Sequence, residues 1–130
     1  MDTPFYDPTK SYDENYAEGP YGACGDEQVH NEHGEPQYEF FGYKVYTPFG
    51  IPAGPLLNSN FVRGAFDKGF DMAVYKTVRS DTYPCHPFPN VLAVHPGEKL
   101  TFERAKTEAL VADANYTEPM SITNSFGVPS

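Results

Sequence analysis

Gly50-Ile-Pro-Ala-Gly-Pro55 and Met72-Ala-Val-Tyr-Lys-Thr77 are the two stretches whose reading decides the fold of this 130-residue chain. Pro48, Gly50, Pro52, Gly54 and Pro55 exclude an ordinary interior strand. Ile51 to Pro55 therefore reads as a short strand end running into a loop where backbone approaches something closely. A helix is expected next: Asn58 or Ser59 can cap it, Phe61, Val62, Ala65 and Phe66 fall on one face, and Gly69 can end it. Met72 to Val78 has the length and apolar character of a buried parallel strand. Strand, helix and strand in this order make the repeating unit of a parallel α/β fold.

Outward from that unit the chain changes character. Tyr38 to Thr47 carries β-branched and aromatic residues around Gly42, the pattern of a small β-hairpin. Residues 1 to 37 are rich in Tyr, Pro, Gly, Asp and Glu, with Val29 the one branched aliphatic. They are expected to be an acidic leader, flexible or draped on the body, with Tyr6, Tyr12, Tyr16 and Tyr21 solvated or acting as anchors onto a partner. Downstream, residues 81 to 97 read as proline-rich loop with one short strand at Val91 to Val94. A second helix is expected from Thr101 to about Asp113, with Phe102, Ala105, Ala109 and Ala112 as its stripe and Arg104 paired with Glu108. Tyr75 and Phe70 read as core aromatics.

Charge follows the same division. Residues 1 to 40 hold ten acidic side chains and one basic, whereas residues 41 to 130 hold eight of each. An acidic leader argues against nucleic acid, whose phosphates select Lys and Arg, and nothing reads as a basic membrane-surface helix. Cys24 and Cys85 form no CxxC pair and read as free thiols in a reducing compartment, with a disulfide between them as the alternative. His30 and His33 resemble a metal site only superficially, and no metal is expected. No signal peptide, acid-poor transit peptide or apolar run of about 20 residues is apparent. The expected location is cytoplasmic.

Two places carry chemistry. Lys76 ends an apolar strand, where an ammonium is costly to bury without an anionic partner, and in parallel α/β folds that strand end faces the ligand. A lysine snorkelling to the rim is the plainer alternative. Asn124-Ser-Phe-Gly-Val-Pro129 reads either as an ordinary Asn-containing turn or as a binding loop. His86 and His95 have no assigned role.

In this order, Ala53-Gly54-Pro55, Lys76-Thr77 and Asn124 to Pro129 resemble the N-terminal third of the dihydroorotate dehydrogenase family, over roughly Tyr38 to Ser130. The 22 residues from Gly54 to Lys76 suit one β-α-β turn of that barrel. The resemblance implies the first units of a (β/α)8 TIM barrel. A whole barrel takes about 250 residues, so this length supplies two or three units. It further implies an FMN-dependent oxidoreductase taking dihydroorotate to orotate. Ala53 and Gly54 would lie against the flavin, Thr77 would bond it, and Lys76 would face both flavin and substrate. Asn124 would bind the pyrimidine edge, and the backbone of Phe126, Gly127 and Val128 the substrate carboxylate. The family's catalytic Cys or Ser base would lie beyond Ser130. Cys85 comes too early in the chain to be assumed as that base. The longer interval between Lys76 and Asn124 leaves another dihydropyrimidine open as substrate, as in dihydropyrimidine dehydrogenases. A non-catalytic α/β interaction fragment is the contrasting reading, and exposed strand edges favour self-association.

Overall fold

A computed structural model describes residues 5–129; residues 1–4 of the expected leader and Ser130 lie outside them. The parallel unit forms around β3 (Gly50–Ile51), α2 (Ser59–Asp67) and β4 (Met72–Ala73). Gly50 pairs with Met72 and Ile51 with Ala73 in parallel. Asn58 caps α2 by accepting from the backbone N–H groups of Asn60 at 2.9 Å and Phe61 at 3.4 Å. Gly69 follows the helix in the left-handed conformation at φ +85°. Phe61, Gly64 and Ala65 are the buried residues of α2, so the buried face is turned relative to the expected stripe and Phe66 is exposed.

The strand expected over Met72 to Val78 is cut to two residues. Beyond Ala73, the Val74 N–H still reaches the Ile51 carbonyl at 2.9 Å, and the Lys76 N–H then turns to the Leu56 carbonyl at 3.0 Å. The ladder stops because its partner does: Pro52 has no N–H to give, and Pro55 turns the neighbouring chain away. Val74, Tyr75 and Val78 are consequently exposed, and Tyr75 is not a core aromatic.

The hairpin is present as β1 (Tyr38–Phe40) paired antiparallel with β2 (Tyr43–Val45). Its end is tied to β4 by Asp71, whose carboxylate accepts from the N–H groups of Tyr46 at 2.6 Å and Thr47 at 2.9 Å. A three-stranded antiparallel sheet completes the body, with β5 (Val91–Val94) between β6 (Ala112–Asp113) and β7 (Ser121–Asn124). The expected second helix is only α3 (Phe102–Thr107). Thr101 caps it and Arg104 grips Glu108 at 2.7 Å, as the spacing suggests. Phe102 and Val111 face solvent, so the stripe buries nothing, and Ala112 leaves for the sheet. Helix and strand are thus mixed, the sheets are small, and none closes into a barrel among the described residues.

Part of the stretch read as leader packs onto this body. It carries α1 (Tyr12–Glu18) and a 3-10 turn at Gly22–Cys24. Ser11 and Glu14 form a reciprocal capping box at the start of α1. Tyr12 joins Leu56, Leu57, Phe61 and Ala65 in the core. Asn15 is fully buried and saturated: its side chain accepts from the Asp7 N–H at 2.7 Å and donates to the carbonyls of Asp7, Lys10 and Ser11. Asn58 donates to the Tyr16 carbonyl at 2.7 Å and so joins α1 to α2. Among the described residues no helix is long and apolar enough to cross a membrane.

Candidate functional site

A cavity of about 560 Å³ opens where the parallel unit, the antiparallel sheet and the N-terminal segment meet. Gly54, Lys76, Asn124, Phe126, Gly127 and Val128 all line it. Ala53 and Thr77 do not: Ala53 turns its carbonyl to the Leu56 N–H at 3.3 Å, and Thr77 is exposed. The remaining wall is largely apolar and includes Leu57, Val91 and Ile122. An apolar cleft with a few convergent polar groups is the usual form of a small-molecule site.

Three polar features stand out. Lys76 is partly buried, and among the described residues no carboxylate lies within salt-bridge distance of its ammonium. A cation held in an apolar wall without a counter-ion is poised for an anionic or electron-rich ligand. Gly54 presents open space: a Cβ placed there would meet no atom within 4 Å. Asn124 ends β7 opposite Val91, which fixes where its amide leaves the sheet.

The loop after Asn124 is held by Asn90 and His86 of the proline-rich segment and by Arg79 just before it. Asn90, almost fully buried, donates to the Ser125 carbonyl at 3.1 Å and accepts the Ser125 N–H on its own carbonyl at 2.7 Å. The His86 N–H donates to the Phe126 carbonyl at 3.0 Å, and its ring meets the Ser125 hydroxyl at 3.1 Å. Arg79 donates to the carbonyls of Val128 at 2.8 Å and Gly127 at 3.2 Å, while stacking 3.9 Å over the Tyr83 ring. In a planar trans peptide the N–H points opposite the carbonyl. The Gly127 and Val128 N–H groups therefore turn away from His86 and Arg79, and neither has a partner among the described residues. Gly127 sits at φ +74°, and a Cβ there would run into the His86 ring. Sequence offers little signal for these anchors: His86 and Asn90 stand among prolines, and Arg79 precedes them in a polar stretch.

Cys85 packs beside this region as a partly buried free thiol. Burial pushes its ionisation up, aided by Asp13, and outweighs the opposing His86 backbone N–H and Lys76 charge, so the thiol is held further from its ionised form than a free cysteine. His30 pairs with Glu32 at 3.1 Å. Among the described residues no three His, Cys, Asp or Glu side chains gather where they could hold a metal ion.

No family model matches the chain, and no solved structure matches it. One curated protein, named dihydroorotate dehydrogenase and from Dictyostelium discoideum, is 37% identical over 138 aligned residues. That match takes in all of this chain and 37% of the relative, so the chain spans little more than a third of the relative's length. Aligned over all of its residues at 37% identity, the chain is related to that dihydroorotate dehydrogenase.

Proposed function

We propose that this chain supplies part of the flavin- and substrate-facing wall of an FMN-dependent oxidoreductase that converts dihydroorotate to orotate in pyrimidine biosynthesis. Residues 38–130 are the first β/α units of a TIM barrel in this reading, and residues 1–37 are its leader. One observation carries it: Gly54, Lys76 and the Asn124–Val128 loop, distant in sequence, share one apolar-walled cavity. The named Dictyostelium relative adds support. The two free thiols, Cys24 and Cys85, suit a reducing cytoplasm.

The residues present fit FMN. Open space above Gly54 admits a flat ring that any Cβ would hold off. Lys76 offers a cation with no carboxylate partner among the described residues at the same wall, where a fixed charge in a low-dielectric pocket stabilises developing negative charge strongly. FMN, when bound, supplies a two-electron acceptor for the hydride leaving dihydroorotate. The Asn124 amide, donor and acceptor together, suits the matched N–H and C=O edge of a pyrimidine. The unpartnered Gly127 and Val128 N–H groups suit a carboxylate. The Cys85 thiol, held from its ionised form by burial, is not a ready base, so the proton acceptor for the reaction is assigned to no residue described here.

The test is flavin reduction. The intact protein, purified with FMN, is expected to hold a yellow flavin that dihydroorotate bleaches. Lys76→Ala is expected to slow bleaching about a hundredfold or more, the scale seen when a preorganised electrostatic donor is removed. A protein that retains no FMN, or a bound flavin indifferent to dihydroorotate, would overturn the assignment.

A further inference from the structure

His95 follows directly on β5, and its ring reaches into the turn that carries the chain from β6 to β7. Nδ1 lies 3.2 Å from the Pro119 carbonyl oxygen, and Nε2 lies 2.7 Å from the Asn115 carbonyl oxygen. A carbonyl oxygen only accepts, so both ring nitrogens must donate. Neutral imidazole has one N–H and satisfies one of these partners, whereas the imidazolium satisfies both. The Asn115 and Pro119 carbonyls, helped by the charge of Asp113 on β6, raise the ionisation of His95 above its usual 6.5 against opposing desolvation. Among the described residues no carboxylate lies within salt-bridge distance of the ring. Glu98 and Lys99 later in the chain, Glu118 in the turn, and Arg104 of α3, which is paired with Glu108, make no hydrogen bond to it. Tyr116 stays uncharged, since burial raises its phenol.

The turn that His95 grips reaches the cavity. Tyr116, one residue past Asn115, donates its hydroxyl to the Val91 carbonyl at 2.7 Å, with the Pro8 carbonyl further off at 3.3 Å. Val91 and Pro8 both line the cavity. Pro119 stands two residues before β7, whose Ile122 and Asn124 lie in the same wall, and Asn124 pairs with Val91. One ring therefore secures both ends of a turn that sets Tyr116 against the wall and leads β7 into it.

We propose that His95 is a positioning residue for this cavity: as the imidazolium it clamps residues 115–119 and so holds Val91 and Asn124 in place for the ligand, and the clamp loosens when the ring loses its proton. The inference rests on the flavoenzyme reading above and adds a pH dependence to substrate binding. A group whose protonated form is favoured by folding contributes fully below its unfolded value. The clamp is complete below about pH 6.5, and the longer Pro119 contact is released as pH rises through the higher, folded value.

The test is the orotate affinity of the intact, FMN-loaded protein between pH 6 and pH 8.5, in the parent and in His95→Gln. Orotate is the probe because its carboxylate stays ionised across that range, whereas a phosphate does not. At pH 6 the parent is expected to bind about threefold more tightly than the variant, the modest coupling of a side chain that touches no ligand. By pH 8.5 that ratio is expected to approach one. His86 also touches the Asn124 loop, so the ratio of the two proteins decides, not the parent's profile alone. NMR of the parent ring is the second measurement: at pH 6 both nitrogens of His95 are expected to carry protons, with titration above pH 6.5. A ratio that does not change with pH overturns the proposal and leaves the flavoenzyme reading intact, and so does a ring that titrates at or below 6.5. A parent protein that binds neither FMN nor orotate at any pH overturns both readings.

Discussion

Arg79 controls the candidate site without touching the cavity. Its guanidinium spends two donors on the Val128 and Gly127 carbonyls and its flat face on Tyr83, so it fixes the loop's orientation rather than its charge. A fork of this kind is not reproduced by an ammonium. Arg79→Met is expected to free both carbonyls and let the loop rock, raising amide hydrogen exchange across residues 125–129 several-fold. Arg79→Lys is expected to restore little of that protection. Exchange unchanged in the methionine variant would mean that Asn90 and His86 alone set the loop. Gly127 explains why the loop has no alternative close by, since it needs both a left-handed backbone and a bare Cα beneath the His86 ring. Lys76 and the Asn124 loop were legible in the sequence because each departs from its surroundings, a cation in an apolar run and a glycine flanked by apolar residues. Arg79, His86 and Asn90 were not, because their partners are backbone carbonyls and amides more than 30 residues away in the chain, at Ser125 to Val128.

At the scale of elements, local chemistry was readable and extent was not. Asn58 as cap, Gly69 as terminator, the 38–45 hairpin and the Val91–Val94 strand follow from residue type alone. The β4 ladder and α3 fall short because their lengths depend on what lies opposite them, which no propensity records. Helix α1 went unread for a different reason. Hydrophobic content condemned residues 1 to 37, while Ser11-Tyr-Asp-Glu14 already carried a capping-box spacing. The contact of α2 with the 3-10 turn makes a sharp test. A Cβ on Gly64 would lie 2.5 Å from the Cys24 carbonyl oxygen and 3.1 Å from Pro20 Cγ. Alanine gains about 1 kcal/mol of helix propensity over glycine, yet overpacking against backbone costs about 1–3 kcal/mol. The clash wins because the carbonyl moves only with the whole turn. Gly64→Ala is expected to lower the melting temperature and deprotect residues 20–25 while α2 stays protected. A higher melting temperature would show that the turn yields freely.

For the whole molecule, the acidic N-terminal stretch is attached partly through its own charges. Asp26 meets Lys68 at 2.5 Å across the join with α2, and Lys10 meets Glu18 at 2.5 Å along α1. Four carboxyl groups there are held below their ordinary range: Asp7 chiefly by its hydrogen bond with Thr9, Glu14 by Ser11, Glu18 by Lys10 and Asp26 by Lys68. A carboxyl depressed in the folded state contributes stability that is fully present above its unfolded value. That stability drains away as pH falls through the lower, folded value. The unfolded references are 3.8 for Asp and 4.5 for Glu, so the loss begins below about pH 4.5. Protonation also relieves repulsion within a stretch of ten acids and one base, which opposes the loss. That repulsion is spread through solvent and weakened by salt, whereas the four hydrogen-bonded groups act at contact distance. The contact terms should prevail. Between pH 6 and pH 3, amides of residues 10–28 are therefore expected to lose protection before those of α2, and the core around Phe61 and Leu56 should open last. Because the exposed ion pairs are screened, high salt at pH 6 should bring only a small part of the same loosening. Simultaneous loss at both places would show that the leader's attachment comes from Tyr12 and Asn15 in the core, and that its carboxylates add nothing.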